Sequence, residues 1–332
     1  MRVGLTYDLR DDYLREGYSL EETAEFDKAE TIEGIEGALQ ALGYQTERVG
    51  HARALILRLA AGDRWDLVFN IAEGQWGLGR EAQVPAILDV HRIPYVFSDA
   101  VVLGLTLHKA FTKAVLRDAG VPTPDYATVE RPEQIAGVAL PYPVFAKPLA
   151  EGTGKGIGPR SRCANAAELD AVCRDLLARF QQPVLVERYL PGLEVTVGVV
   201  GTGHRAEALG CMEVRLLDGA APDAYGYENK ENWVGRVEYA LSGPETSREA
   251  CAVALAAWRV LGCRDGGRVD LRADEAGRMN VIELNPLAGL NLVHSDLPIL
   301  CYKLGMTYPQ LIDRIMRSAL ARHGLEPPEP RP

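Results

Sequence analysis

The chain lacks the patterns that would tie it to a metal cluster, a membrane or a nucleic acid. Its six cysteines, at positions 163, 173, 211, 251, 263 and 301, include no Cys-x-x-Cys pair. That fits reduced thiols in a cytoplasmic protein rather than a disulfide frame. The six histidines form no His-x-x-x-His pair, so no zinc site is expected. No apolar run approaches the roughly 18 residues of a membrane span. Met1-Arg2-Val3-Gly4-Leu5 runs straight into a strand pattern, so neither a membrane partner nor a secretory leader is expected. Basic residues are in deficit. The 36 Lys and Arg face 46 Asp and Glu, and the net charge of -10 argues against a nucleic-acid partner while permitting a local basic pocket.

What is present is an ordinary globular composition, 47% hydrophobic and 25% charged over 332 residues, enough for two or three domains and without an internal repeat. Residues 2–7 read as a buried strand, 24–42 as a helix ending at Gly43, 45–49 as a strand, 52–61 as a helix and 65–71 as a third strand. This alternation predicts a parallel α/β unit whose ligands lie beyond the carboxyl ends of the strands. Those ends carry Tyr7 to Asp12, with Arg10, and Asn70 to Gly74, with Glu73, as candidate substrate contacts. The Gly74 to Glu81 loop matches no phosphate-binding fingerprint and reads as a cover over substrate, followed by a helix at 82–91 and a short strand at 93–97. A helix opening at Leu107-His108-Lys109 and ending at Gly120, with Val-Pro-Thr-Pro after it, sets a domain boundary near residue 105.

Val144-Phe145-Ala146-Lys147-Pro148 is a short strand carrying a lysine, followed by Glu151-Gly152-Thr153-Gly154-Lys155-Gly156-Ile157-Gly158. Such a glycine density lets backbone N–H groups approach an anion closely and suits a flap over phosphates, although plain turns look similar. Beyond a helix at 166–180, two strands within 184–197 joined by Pro191-Gly192 carry Glu187 and Glu194, placed to reach a nucleobase amine and a ribose hydroxyl. Tyr225 to Trp233, with Lys230, reads as an exposed loop, Thr246 to Leu261 as a helix, and the Pro-rich end as a disordered tail.

The densest signal is Gly267 to Arg272 and Val281 to Asn285, two alternating runs separated by turn residues, hence an antiparallel hairpin. Arg268 and Asp270 share one side of the first strand, and Glu283 and Asn285 share one side of the second, with Val269, Leu271, Ile282 and Leu284 expected behind them. Two facing carboxylates repel by about 4 kcal/mol at about 4 Å and an effective dielectric near 20. A positive partner is therefore expected. Either Mg²⁺ takes these hard oxygen ligands, or Arg268 and Arg272 neutralise a solvated hairpin.

The order of these features, a lysine at a helix start, a lysine-proline strand, a glycine flap, Glu-bearing strands and the Arg/Asp with Glu/Asn hairpin, resembles the ATP-grasp superfamily, and within it the D-alanine–D-alanine ligase family. The resemblance covers roughly residues 65–315. It implies an N-terminal α/β domain at 1–105, a central subdomain with the flap at 106–190, a catalytic subdomain at 191–320 and a tail at 321–332, the two α+β subdomains sandwiching ATP. It further implies that Lys109, Lys147 and the flap Gly152, Thr153, Gly154, Lys155 and Gly156 bind ATP phosphates. Glu187, Arg188, Tyr189 and Leu190 would hold adenine, and Glu194 the ribose. Asp270, Glu283 and Asn285 would hold two Mg²⁺ ions, with Mn²⁺ as a substitute. Arg268 would stabilise the acyl phosphate and tetrahedral intermediate, Lys230 would cover the γ-phosphate, and the subunits would pair as a homodimer.

The match weakens at amino-acid-binding positions. The family's Gly-Gly-x-Ser-x-Glu run after the first strand is absent, its His-Gly acidic loop is replaced by Asn70 to Trp76, and its carboxylate-anchoring serine is shifted by one, with His294 in its place and Ser295 next. The expectation is therefore a carboxylate–amine ligase working through an acyl phosphate on small-molecule amino acids or carboxylic acids other than, or beyond, D-alanine. The alternatives are a true D-alanine–D-alanine ligase with a divergent loop and a non-catalytic ATP-binding regulator.

Overall fold

The computed structural model describes residues 1–216 and 237–328. Lys230 lies outside them. Three sheets organise the chain. The first is parallel, in the order β2-β1-β3, from β1 (Arg2–Thr6), β2 (Gln45–Gly50) and β3 (Leu67–Asn70). Its continuous apolar runs, Val3 and Leu5 with Leu67, Val68 and Phe69, are buried because helices cover both faces. Helix Ala29–Ala41 contributes Ile32, Ile35 and Leu39 to one face, and helices Ala52–Ala60 and Gln83–His91 contribute Leu55, Leu59 and Leu88 to the other.

The second sheet, β4-β7-β5-β6, joins β4 (Tyr126–Val129), β5 (Val144–Pro148), β6 (Arg162–Cys163) and β7 (Val184–Arg188). Helix Ala166–Phe180 covers it with Leu169, Val172, Cys173 and Leu176, and begins where the Asn165 side chain accepts from the Ala167 and Glu168 amides. The third, β10-β9-β8-β11-β12, is antiparallel throughout, from β8 (Glu194–Val200), β9 (Glu207–Leu216), β10 (Val237–Leu241), β11 (Gly266–Ala273) and β12 (Met279–Asn285). Helix Pro244–Val260 backs it through Ala250, Ala254, Ala257 and Trp258. A parallel α/β unit followed by two α+β units is the architecture expected from the sequence.

The chain ends by returning to its start. Helix Tyr308–His323 buries Leu311, Ile312, Ile315 and Met316 in the same core as Val3, Leu5 and Phe69. Asp265, fully buried, pins that return: it accepts from the Phe97 amide at 2.8 Å, the Ser318 hydroxyl at 2.9 Å and the Arg322 guanidinium at 2.6 Å. Among the described residues no helix is long and apolar enough to cross a membrane, and the six cysteines are all unpaired.

Four local expectations change. The helix expected over 24–42 begins only at Ala29, because Arg10 donates from Nε to the Thr23 carbonyl at 3.0 Å and from Nη2 to the Ala24 carbonyl at 2.6 Å, and the Asp27 amide bonds the Asp8 carbonyl. These tertiary bonds hold residues 18–27 as a non-helical strap. The helix expected from Leu107 is split at His108, whose backbone leaves the helical region and whose Nδ1 accepts from the Phe111 amide at 3.2 Å. The strand expected at 93–97 is reduced to one bridge, Val68 with Tyr95. The last helix continues to His323, beyond the expected start of the tail.

Candidate active site

The hairpin pairs as its alternation demands: Arg268 lies opposite Asn285, and Asp270 opposite Glu283. A bulge then shifts the register between Asp270 and Leu271. One extra residue in a strand reverses the facing of those beyond it. Val281 is therefore buried behind the sheet, while Ile282, expected there, lines the pocket in front.

That pocket lies between the second and third sheets. Lys147 on β5, Glu187 on β7, Glu194 and Thr196 on β8, and Arg268, Asp270 and Arg272 on β11 all face it, with Glu283. Arg188, Tyr189 and Leu190 form its edge, and Gly154 and Ile157 cover it. Its charges are paired across strands. Lys147 Nζ lies 2.7 Å from Glu187, Lys109 Nζ 3.0 Å from Glu283, and Arg272 3.2 Å from Glu194. Asp270 is held by Arg268, by the Thr196 hydroxyl at 2.8 Å and by the Asn285 amide at 3.2 Å. Burial alone would raise the Glu187 carboxyl, but Lys113 and Lys147 hold it below the ordinary range. Burial opposes the Lys147 ammonium, yet Glu187 and then Glu283 keep it charged beyond its usual value. Burial depresses Lys113 to about 8, in spite of Glu187 beside it.

Asp270, Glu283 and Asn285 offer only oxygen and amide donors on adjacent strand positions, a hard set that fits Mg²⁺ and disfavours a soft metal. Among the described residues no three His, Cys, Asp or Glu side chains gather as a metal group, so the balance of any cation's shell must come from ligand phosphates or water. The positive charge that the facing carboxylates require is supplied here by Arg268 and Lys109, not by Arg272, which serves Glu194 and the Tyr189 hydroxyl.

The flap does not act as one surface. Gly154 and Ile157 face the pocket between the two sheets, and Thr153 faces a second cavity. Gly156 packs so tightly that a Cβ there would lie 2.5 Å from Pro148. Lys155, expected on phosphates, instead turns to Glu151 and to Glu25 of the strap at 3.6 Å. The Gly152 amide donates to the same Glu25, which also pairs with Arg80 at 2.7 Å. A lysine in a glycine-rich loop follows its tertiary partners, and these come from the first 30 residues.

The second cavity has a volume of about 130 Å³. Arg268 is the wall it shares with the first. Its other lining comes from Arg10 and residues 24–28, Thr31 and Thr153, and from Gly289, Asn291, His294, Ser295 and Asp296. His294 and Ser295 are thus brought to the cavity, Ser295 Oγ accepting from the Asn291 amide at 3.0 Å. Arg10 reaches the wall, but its guanidinium is bonded to the strap carbonyls of Thr23 and Ala24. Glu73 is not brought to the lining. It sits among Glu81, Glu25 and Arg80, and burial followed by Glu81 and Glu25 raises its carboxyl well above the ordinary range; burial likewise puts Glu81 at about 8.

Several site residues escaped the sequence. Thr196 shares the strand face of Glu194, and Lys113 lies four residues after Lys109 on one helix face, so periodicity could have found both. Asp27 had no such signal, since it fell inside a helix that does not form. It lines the second cavity, where burial and then Asp8 push its carboxyl up to about 7, with the Thr31 hydroxyl bonding it. Asp296, the residue after Ser295, lies 3.4 Å from Arg268.

The comparisons follow this geometry. The family described as "D-ala D-ala ligase C-terminus" matches residues 115–317. The D-alanine–D-alanine ligase of Caulobacter sp. is 31% identical over 290 residues, 86% of each chain. An uncharacterized protein, y4sG, of Sinorhizobium fredii is 32% identical over 266 residues, 77% of this chain and 75% of its own. Among solved structures, the D-alanine–D-alanine ligase of Bacillus anthracis complexed with ATP superposes with a TM-score of 0.71 at 20% identity, covering 98% of this chain and 99% of that one. VanG D-Ala:D-Ser ligase from Enterococcus faecalis gives 0.72 at 17%, covering 96% and 99%. These two likenesses speak for the fold; the family match and the sequence relatives carry the rest. The protein belongs to the D-alanine–D-alanine ligase family of the ATP-grasp superfamily and is an enzyme that forms carbon–nitrogen bonds.

Proposed function

We propose that this protein is a D-alanine–D-alanine ligase, with ATP activating the carboxylate of one D-alanine and the amine of a second displacing the phosphate. The relatives named D-alanine–D-alanine ligases, matched over most of both chains, favour this reading over the changed substrate expected from the loops. The observation that carries it is Arg268, the shared wall of the pocket between the second and third sheets and the cavity lined by the strap and by residues 289–296. An oxyanion formed where the two meet lies against a guanidinium already fixed between carboxylates.

In this reading Lys109 and Lys147 leave their glutamates for the ATP phosphates, under the backbone of Gly154. Freed Glu187 and the Arg188 to Leu190 edge take the adenine, and Glu194 takes the ribose. Asp270, Glu283 and Asn285 would hold Mg²⁺, which when bound supplies charge neutralisation for the phosphates. Asp27 takes the ammonium of the activated amino acid and so turns its carboxylate toward Arg268. The strap and flap exclude water, which would otherwise hydrolyse the acyl phosphate.

The test is phosphate release with dipeptide detection, using ATP, Mg²⁺ and a panel of amino acids that includes D-alanine, L-alanine and D-serine. Turnover highest with D-alanine and formation of D-alanyl-D-alanine are expected. Turnover with other members and none with D-alanine overturns the reading.

A further inference from the structure

Three carboxylates reach the amino-acid cavity: Glu25, Asp27 and Asp296. A ligase joining two amino acids must hold two amino groups there, the donor's as an ammonium that stays intact and the acceptor's as the nitrogen that attacks. Glu25 is committed to Arg80, Lys155 and the Gly152 amide. Asp27 and Asp296 line the cavity from different segments, and geometry separates their tasks. The attacked carbonyl carbon is one bond from the oxygen that Arg268 stabilises, so the incoming nitrogen arrives beside Arg268. Asp296 is the cavity carboxylate beside Arg268, at 3.4 Å.

The charges make the same assignment. Arg268 stands between Asp270, which faces the nucleotide pocket, and Asp296, which faces the cavity. Each side chain is nearly buried, at 13%, 10% and 7% exposure respectively for Arg268, Asp270 and Asp296. The row negative, positive, negative ends at the cavity, and an ammonium placed next continues the alternation. Without Asp296 that ammonium would meet the guanidinium directly, in a site where water screens little. A neutral hydroxyl in the same place would donate one hydrogen bond to the carboxylate but gain none of the attraction between opposite charges.

We propose that Asp296 is the acceptor-binding residue of this enzyme, selecting a second substrate that arrives as an ammonium and rejecting the isosteric hydroxy acid. The assignment rests on the ligase reading but not on D-alanine being the amino acid. Asp296 begins helix Asp296–Lys303, whose Leu297, Leu300 and Cys301 are buried, so the carboxylate is held on a rigid element.

The experiment compares D-alanine with D-lactate as acceptor in the full-length enzyme and in Asp296→Asn, which preserves shape. The wild type is expected to prefer the amine at least about a hundredfold in kcat/KM. In Asp296→Asn the acceptor KM for D-alanine should rise at least about tenfold, with the KM values for ATP and donor within about twofold, and the preference should shrink by a similar factor. Asp296→Glu should recover much of it, which a purely structural role would not produce, and it serves as the reading variant if Asp296→Asn does not fold. An unchanged acceptor KM, or a preference that survives in Asp296→Asn, overturns the proposal. If D-alanine is inert but another amino acid of the panel turns over, the D-alanine reading fails and the same comparison is made with that amino acid and its hydroxy analogue. If none turns over, calorimetric titration of both D-acids onto ATP-loaded protein decides. Wild type binding the amine at least tenfold tighter, and Asp296→Asn not, supports Asp296; equal ratios refute it.

Discussion

The two sides of Arg268 are built on different plans. On the nucleotide side each named charge faces an opposite charge from a neighbouring element, most of them on strands: Lys147 with Glu187, Arg272 with Glu194, and Lys109, which opens a helix, with Glu283. On the amino-acid side Asp27 hangs on an irregular segment, the strap before helix Ala29–Ala41, where it meets the Thr31 hydroxyl with the charges of Asp8 and Arg10 acting on it, and Asp296 follows the turn through Ser295 at the start of a helix. Strand register positions most of the first set, because the pleat decides which side chains share a face. The second set is positioned by bonds between residues far apart in the chain, and those can be redrawn without disturbing a sheet. Chemistry common to a family belongs on the first plan and substrate choice on the second.

The comparison turns on Arg268 itself, and removing it should do the most damage. Arg268→Ala is expected to lower kcat by about 10²–10³-fold, while ATP binding, followed by nucleotide titration, persists. A loss of ATP binding equal to the loss of turnover would mean that Arg268 belongs to one side only.

Asp27 sharpens the contrast next. Asp27→Asn should raise the donor KM by roughly 10- to 100-fold with little change in the KM for ATP. It also has a pH signature. The folded carboxyl lies at about 7 against an ordinary 3.8, so between those values the folded state holds a proton that the unfolded chain releases. Stability from this group therefore falls as pH rises from about 4 through about 7 and is level above. Melting temperatures of Asp27→Asn relative to wild type should climb across that window, and a constant difference would show that Asp27 is already ion-paired.

The smallest effect is expected on the nucleotide side, where partners are redundant. Lys113→Met removes one of the two cations on Glu187 and should raise the KM for ATP by about tenfold, leaving the donor KM alone. A shift in the donor KM would break the division proposed here.

The same contrast explains what could be read from the amino acids alone. Alternation placed Arg268 with Asp270 on one face and Glu283 with Asn285 on one face, because a strand's facing is a local property, and it failed at Ile282, where a bulge intervenes. The parallel first sheet followed from the alternation of strands and helices, while the two later α+β units were expected from the family resemblance. Lys155 was misdirected because its partners, Glu151 and Glu25, include one more than a hundred positions away. Asp27 was assigned to a helix because periodicity does not register that Arg10 holds the strap carbonyls. Asp296 stood beside a residue already singled out, but only its 3.4 Å approach to Arg268 gives it a task.

Glu25 carries a consequence for how such enzymes can be recombined. One carboxylate of the strap holds the flap's Gly152 amide and Lys155, together with Arg80 of the loop before helix Gln83–His91. Three stretches of chain thereby form a single joint, although only one contains the glycines that mark a flap. A chimera that grafts a relative's first domain onto this catalytic half inherits a foreign half of that joint. Residues 18–31 and 150–157, with Arg80, are the unit of exchange, and grafts that keep them together should retain a cover that closes where grafts cut at residue 105 lose it.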